Sequence, residues 1–216
     1  MKTKYPLSAA LAVLCLSGCA RIVGLIQHED PLSAEEHLRL GHSYEEQGLH
    51  SSSAKEYGAA LRKDKGFLPA IVALGNLAYK TGSLLEAEIY YLRALKISPD
   101  HPSANNNLAV VYLTRGSRLD KAEALAKAAL KKAGPLEPYV LDTLANIYLR
   151  QGRLAEARRA LDAAEAVVDQ GNTKLREHLI QTRRYLEAFM NERDLKGPLK
   201  GQLRRDNPRS RLGSRT

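Results

Sequence analysis

Along residues 34–189 the apolar positions recur at helical spacing. Leu74, Leu77 and Ala78, and again Leu141, Leu144, Ala145 and Tyr148, follow the i, i+3, i+4, i+7 pattern that gathers side chains on one helix face. The segments are punctuated by Gly48, Gly82, Gly116 and Gly152, at separations of 34, 34 and 36 residues. A glycine ending a helix supplies a left-handed residue without a Cβ clash, and Pro99, Pro102, Pro135 and Pro138 fall between the segments, where no helical amide is required. The pattern predicts pairs of helices repeated about four times, which is the organisation of a repeat array and not of a catalytic domain.

Aligned on these glycines, the copies agree position by position. Seven residues before each stands a small residue (Gly41, Gly75, Ala109, Ala145), preceded by a leucine (Leu40, Leu74, Leu108, Leu144). Four residues before the glycine comes Tyr44, Ala78, Tyr112 or Tyr148. After it comes Ser53, Ala87, Ala122 or Ala157, and seven residues later Ala60, Ala94, Ala129 or Ala164. The two extra residues of the third copy fall in the Ser117–Lys121 turn and near Ala133–Leu136, where insertions cost little. Inside a helix, either would have rotated the apolar face by about 100°.

This arrangement resembles the tetratricopeptide repeat. The resemblance implies an all-α fold, a right-handed α-solenoid of about four tetratricopeptide helix pairs with a C-terminal capping helix, over residues 34–189. Asn172 or Thr173 is expected to cap that last helix, in which Leu175, Leu179, Leu186 and Phe189 or Met190 share a face.

The residues before the array form a second pattern: basic Lys2 and Lys4, a short apolar run over Pro6–Leu16, then Leu16-Ser17-Gly18-Cys19. The run is too short for a permanent membrane span. It resembles a bacterial lipoprotein signal, which implies removal of residues 1–18, acylation of Cys19 (a covalent lipid such as palmitate) and a tether over 19–33. Ala20, where a retention aspartate would stand in enteric-type bacteria, implies the periplasmic face of the outer membrane. Cys15 would leave with the signal and Cys19 would carry lipid, so no mature thiol is expected for a disulfide, a metal or a nucleophile.

Charge then refines the picture. The chain carries +9 formally, but Lys2 and Lys4 belong to the signal and residues 190–216 hold eight basic side chains against three acidic ones. The remaining body is therefore near +2, which argues against nucleic acid as a partner. The segment 190–216, with Gly, Pro, Ser and Arg and no apolar periodicity, reads as an unstructured basic tail whose counter-charges would be anionic lipid or an acidic partner.

Nothing in the sequence assembles a catalytic or metal centre. The six histidines make no metal-ligand spacing, there is no phosphate-binding glycine loop, and Glu45-Glu46 and Glu86-Ala87-Glu88 read as solvated helix faces. No cofactor is expected beyond the lipid on Cys19. The repeat resemblance places the partner-binding groove on the concave side, lined by first-helix positions flanking the small residue: Arg39, His42, Asn76, Tyr79, Asn106, Asn107, Tyr139, Asp142, Asn146 and Arg150. Asparagine is a poor helix former, yet Asn76 and Asn146 both follow the small residue, and a carboxamide both donates and accepts along a peptide backbone. Two functions are consistent with these features. One is a non-catalytic lipid-anchored adaptor similar to those that assist pilus or secretion-complex assembly; the other is an accessory subunit of an envelope enzyme or polysaccharide-export system.

Overall fold

A computed structural model describes residues 30–205, with side chains through Glu192. The chain divides into two units, Met1–Ser33 and Ala34–Thr216. The signal, Cys19 and nearly all of the tether lie outside the described residues. In the second unit the described residues form nine α-helices: α1 (Ala34–Glu46), α2 (His50–Lys63), α3 (Leu68–Lys80), α4 (Leu84–Ile97), α5 (Pro102–Thr114), α6 (Leu119–Leu130), α7 (Glu137–Arg150), α8 (Leu154–Val167) and α9 (Thr173–Arg205). They pair as α1/α2, α3/α4, α5/α6 and α7/α8, and α9 packs on the last pair.

The phased glycines end the first helix of each pair. Gly48, Gly82, Gly116 and Gly152 have φ of +74°, +82°, +62° and +73°, so each reverses the chain in a conformation that a Cβ would strain. The residue after each one donates its amide back into the helix, as Ser83 N does to Ala78 O at 2.8 Å. The inserted residue of the third copy sits in the predicted turn, where α6 starts three residues after Gly116 instead of two and Arg118 takes the left-handed conformation (φ +55°). The second insertion forms the 3₁₀ turn Gly134–Leu136.

The small residues are contact points between paired helices. A Cβ on Gly75 would come within 2.6 Å of the Tyr91 ring, and Gly41 is closed off in the same way by Tyr57. In the third and fourth pairs the small residue is alanine, and the positions equivalent to those tyrosines are Ala126 and Leu161. Glycine thus stands opposite tyrosine, and alanine opposite a smaller side chain. The core that results is dominated by Ala, Leu and Tyr, with Tyr57, Ala60, Ala87, Tyr91, Leu108, Ala122 and Leu161 at 0–1% exposure. Among the described residues no helix is long and apolar enough to cross a membrane.

Asn172 caps α9, accepting from Leu175 N at 3.2 Å. Leu175, Leu179 and Leu186 are buried against the array, Met190 is half-buried, and Phe189 points out. The expectation of an unstructured tail from residue 190 is corrected in part. The helix runs on to Arg205, through Gly197 and Pro198, in a segment otherwise rich in the strong helix formers Leu, Lys, Arg, Glu and Gln; residues 206–216 lie outside the described residues. Glu88 is a second correction. It is not a solvated face: its carboxylate is buried and accepts from Arg115 and Arg118, both at 2.5 Å, and from the Tyr112 hydroxyl at 3.1 Å. The arginines come from the turn of the next helix pair, which a linear reading of α4 does not show.

Candidate partner-binding face

Each first helix contacts the next first helix as well as its own partner, so α1, α3, α5, α7 and α9 form a continuous row; comparable contacts do not join α2, α4, α6 and α8 among the described residues. Closer spacing on one side than on the other curves the array, with the first helices inside. Their exposed side chains are the candidate face.

Its polar groups are organised by the second helices. Because Gly75 leaves room for the Tyr91 ring, the Tyr91 hydroxyl passes beneath α3 and donates to Asn76 Oδ1 at 2.8 Å. Gly41 does the same for Tyr57, whose hydroxyl lies 2.8 Å from His42 Nδ1 and donates to Glu45 Oε2 at 2.8 Å. Burial, reinforced by the Glu45 carboxylate, pushes the Tyr57 phenol up to about 12. In both repeats the residue after the glycine is therefore held by a tyrosine from the paired helix. Neither tyrosine was singled out as a site residue; the glycine directly before His42 and Asn76 was the available signal.

Asn76 Oδ1 accepts a second bond from Asn107 Nδ2, at 2.8 Å. With its oxygen doubly occupied, Asn76 is left its N–H donors to offer, beside a hollow of about 200 Å³ lined by Asn76, Tyr79, Tyr91, Asn107 and Val110. Asn146 is fixed the opposite way, its Nδ2 donating to Asp142 O at 2.9 Å and Oδ1 at 3.1 Å. Its oxygen is left to accept, beside a second hollow of about 370 Å³ lined by Leu113, Thr114, Asn146, Leu149, Arg150 and Tyr185. Equivalent residues in two repeats thus present opposite hydrogen-bonding groups.

The remaining predicted positions are placed as follows. Tyr79 and Thr114 meet through their hydroxyls at 3.1 Å, joining α3 to α5. Asn106 is half-buried, donates to Asn107 Oδ1 at 3.4 Å, and has an Oδ1 that lacks a partner among the described residues. Tyr139 is 42% exposed, and its hydroxyl accepts from Asn172 at 2.7 Å. Asp142 lies 3.2 Å from His178 Nε2 on α9; burial raises its carboxyl above the ordinary range, with the histidine acting in opposition. Arg39 is exposed at the far end, 4.0 Å from Glu36, remote from the asparagine cluster in the sequence of helices. Arg150 makes no ion pair among the described residues. The contributions of α9 (His178, Tyr185) were absent from the predicted set, because repeat register assigns the groove to the first helices of complete pairs. Among the described residues no group of three metal-ligating side chains converges.

Comparison with known proteins is consistent with this architecture. Residues 38–102 and 72–138 match the tetratricopeptide repeat family. Among curated proteins the chain is 32% identical over 109 residues to the TPR repeat-containing thioredoxin TTL4 of Arabidopsis thaliana, covering 49% of this chain and 16% of that protein. It is 33% identical over 102 residues to tetratricopeptide repeat protein 14 of Mus musculus (46% and 13%), and 30% identical over 98 residues to the photosystem I assembly protein Ycf3 of Cyanophora paradoxa (41% and 57%). The chain thus spans less than two thirds of the length of each of these relatives. Among solved structures it resembles Pseudomonas aeruginosa pilF (TM-score 0.62, 22% identity, 83% of this chain and 78% of that one) and MamA (TM-score 0.54, 21% identity, 61% and 70%). At such identities the likeness is one of fold. Residues 38–138 carry tetratricopeptide repeats, and the helix pairs around them continue a tetratricopeptide-type α-solenoid, an architecture that generally mediates protein–protein interaction.

Proposed function

We propose that this protein is a non-catalytic, lipid-anchored adaptor on the periplasmic face of a bacterial outer membrane, holding an extended segment of a partner protein against its first-helix face and assisting assembly of a pilus or secretion complex. The observation that carries the binding part is the opposed orientation of Asn76 and Asn146: a peptide backbone offers both the carbonyl that Asn76 can donate to and the amide that Asn146 can accept from. Aromatic Tyr79, Tyr139 and Tyr185 add apolar contact along the same face. The anchoring part rests on the Leu16-Ser17-Gly18-Cys19 sequence. The assembly part rests on the combination of such a signal with a tetratricopeptide-type array, and the likeness to pilF supports the array's fold.

The binding test replaces Asn76, Asn107 and Asn146 together with alanine in the full chain, followed by affinity capture from membranes. Helix content should be unchanged, since alanine is the better helix former. Capture should fall by about ten-fold or more, from three lost hydrogen bonds of about 0.5–1.5 kcal/mol each. Capture at wild-type strength would remove the groove reading. Cys19→Ser should abolish incorporation of labelled fatty acid and release the protein from the outer-membrane fraction; unchanged fractionation with no label in wild type would remove the anchor.

A further inference from the structure

The outer side of the array carries one apolar stripe that the fold does not use. On α4, Leu85, Ile89 and Leu92 are 66%, 64% and 48% exposed, and their spacing places them on one face. The equivalent positions of the other second helices are Ser51, Lys55 and Gly58 in α2, Asp120, Ala124 and Lys127 in α6, and Ala155, Arg159 and Asp162 in α8. Polar or small residues therefore satisfy the repeat at this face. Three large aliphatic side chains in the second repeat alone have no role in helix pairing and expose apolar surface that a partner could remove from water.

The charges beside the stripe indicate which partner. Glu86 stands at its N-terminal end and Lys96 at its C-terminal end, both exposed and neither in an ion pair among the described residues. A second α4 laid antiparallel across the first sets Ile89 of each copy against Leu92 of the other and Leu85 against Lys96, whose long side chain reaches Glu86 one residue along. The apolar and ionic matches share one two-fold arrangement. Leu92 also forms the wall of a recess of about 400 Å³ between α4 and α6, where Leu95, Leu125, Ala124 and Ala128 offer room for an aliphatic side chain from the other copy.

We propose that the exposed face of α4 is a homodimer interface, formed by antiparallel packing of the Leu85–Ile89–Leu92 stripe on a second copy of this chain with reciprocal Glu86–Lys96 ion pairs. One helix face per copy is a small contact, so association is weak and concentration-dependent.

Sedimentation velocity of the full chain, from micromolar to submillimolar concentration, provides the test. Wild type should shift reversibly from monomer to dimer. Ile89→Glu should weaken association about ten-fold or more with helix content unchanged, because the residue is exposed in the monomer. Glu86→Lys should weaken it about three-fold, and Glu86→Lys combined with Lys96→Glu should restore it, because the reciprocal pairs are rebuilt with the signs exchanged. A monomer at every concentration overturns the proposal. So does self-association that Ile89→Glu leaves unchanged, which would place the contact elsewhere on the chain. A charge-swapped double variant no tighter than Glu86→Lys alone overturns the antiparallel arrangement.

Discussion

Arg118 donates to Glu88 at 2.5 Å across the joint between the second and third helix pairs, and the contact recurs one joint later between Arg153 and Glu123 at 2.6 Å. Each arginine is the residue immediately before a second helix, and each guanidinium also lies over the tyrosine of its own first helix, 5.3 Å from the Tyr112 ring centre and 4.5 Å from that of Tyr148. The acid follows the buried alanine (Ala87, Ala122) of the preceding second helix. At the first joint the equivalent positions are Ala54 and Ser83, and the lock is missing. Arginine–carboxylate hydrogen bonds therefore cross the later joints, with the cation–π contacts steadying each guanidinium within its own pair, whereas the first joint has Lys80 paired with Glu45 at 3.3 Å instead.

Glu88→Ala should lower stability by about 1–3 kcal/mol, because it leaves the Tyr112 hydroxyl and two arginines without their shared acceptor. Denaturant unfolding measures it. Glu86→Ala, on the exposed side of the same helix, should stay within about 0.5 kcal/mol of wild type.

Arg118 is the one described non-glycine residue with positive φ, a consequence of the extra residue in its turn. Arg118→Gly and Arg118→Ala both remove the ion pair, but glycine alone relieves the left-handed backbone. The glycine variant should therefore melt at a higher temperature than the alanine variant. Equal midpoints would show that the turn relaxes without strain.

Gly75→Ala should destabilise the fold by about 1–3 kcal/mol through overlap with the Tyr91 ring. Adding Tyr91→Leu recreates the alanine–leucine pairing of Ala145 with Leu161. The double variant should be less destabilised than the sum of the two singles, giving a coupling energy of about 0.5 kcal/mol or more in a double-mutant cycle. Strict additivity would show that the two positions do not share a contact.

The Tyr57 phenol is pushed up to about 12, chiefly by burial, from its ordinary value of 10.0. The folded chain keeps this proton where the unfolded chain releases it. Its contribution to stability is complete below pH 10 and is lost as the pH rises toward 12. Tyr57→Phe, measured by denaturant unfolding at pH 9 and at about pH 11, should lose less stability between the two than wild type does. An identical loss would indicate that Tyr57 ionises normally in the fold.

The helix pairs, their phase, the glycine turns, the location of both insertions and the cap of the last helix, up to the choice between Asn172 and Thr173, were legible in the sequence. They depend on interactions within a few residues, and a repeat writes the same local solution several times. The buried faces of α9 were legible for the same reason, up to the choice between Phe189 and Met190. Tertiary structure decided the groups that meet across helices. Tyr57 and Tyr91 reach under the small residues to hold His42 and Asn76. Glu88 is buried by arginines 27 and 30 residues away, and His178 closes on Asp142 from the capping helix. The orientation of a carboxamide belongs to this second kind as well. Asn76 and Asn146 occupy one register position and share one side chain, but Asn76 meets a tyrosine and an asparagine from neighbouring helices, while Asn146 bonds within its own. Periodicity fixes which face a residue occupies; the hydrogen-bonding group it offers there is set by neighbours distant in the chain.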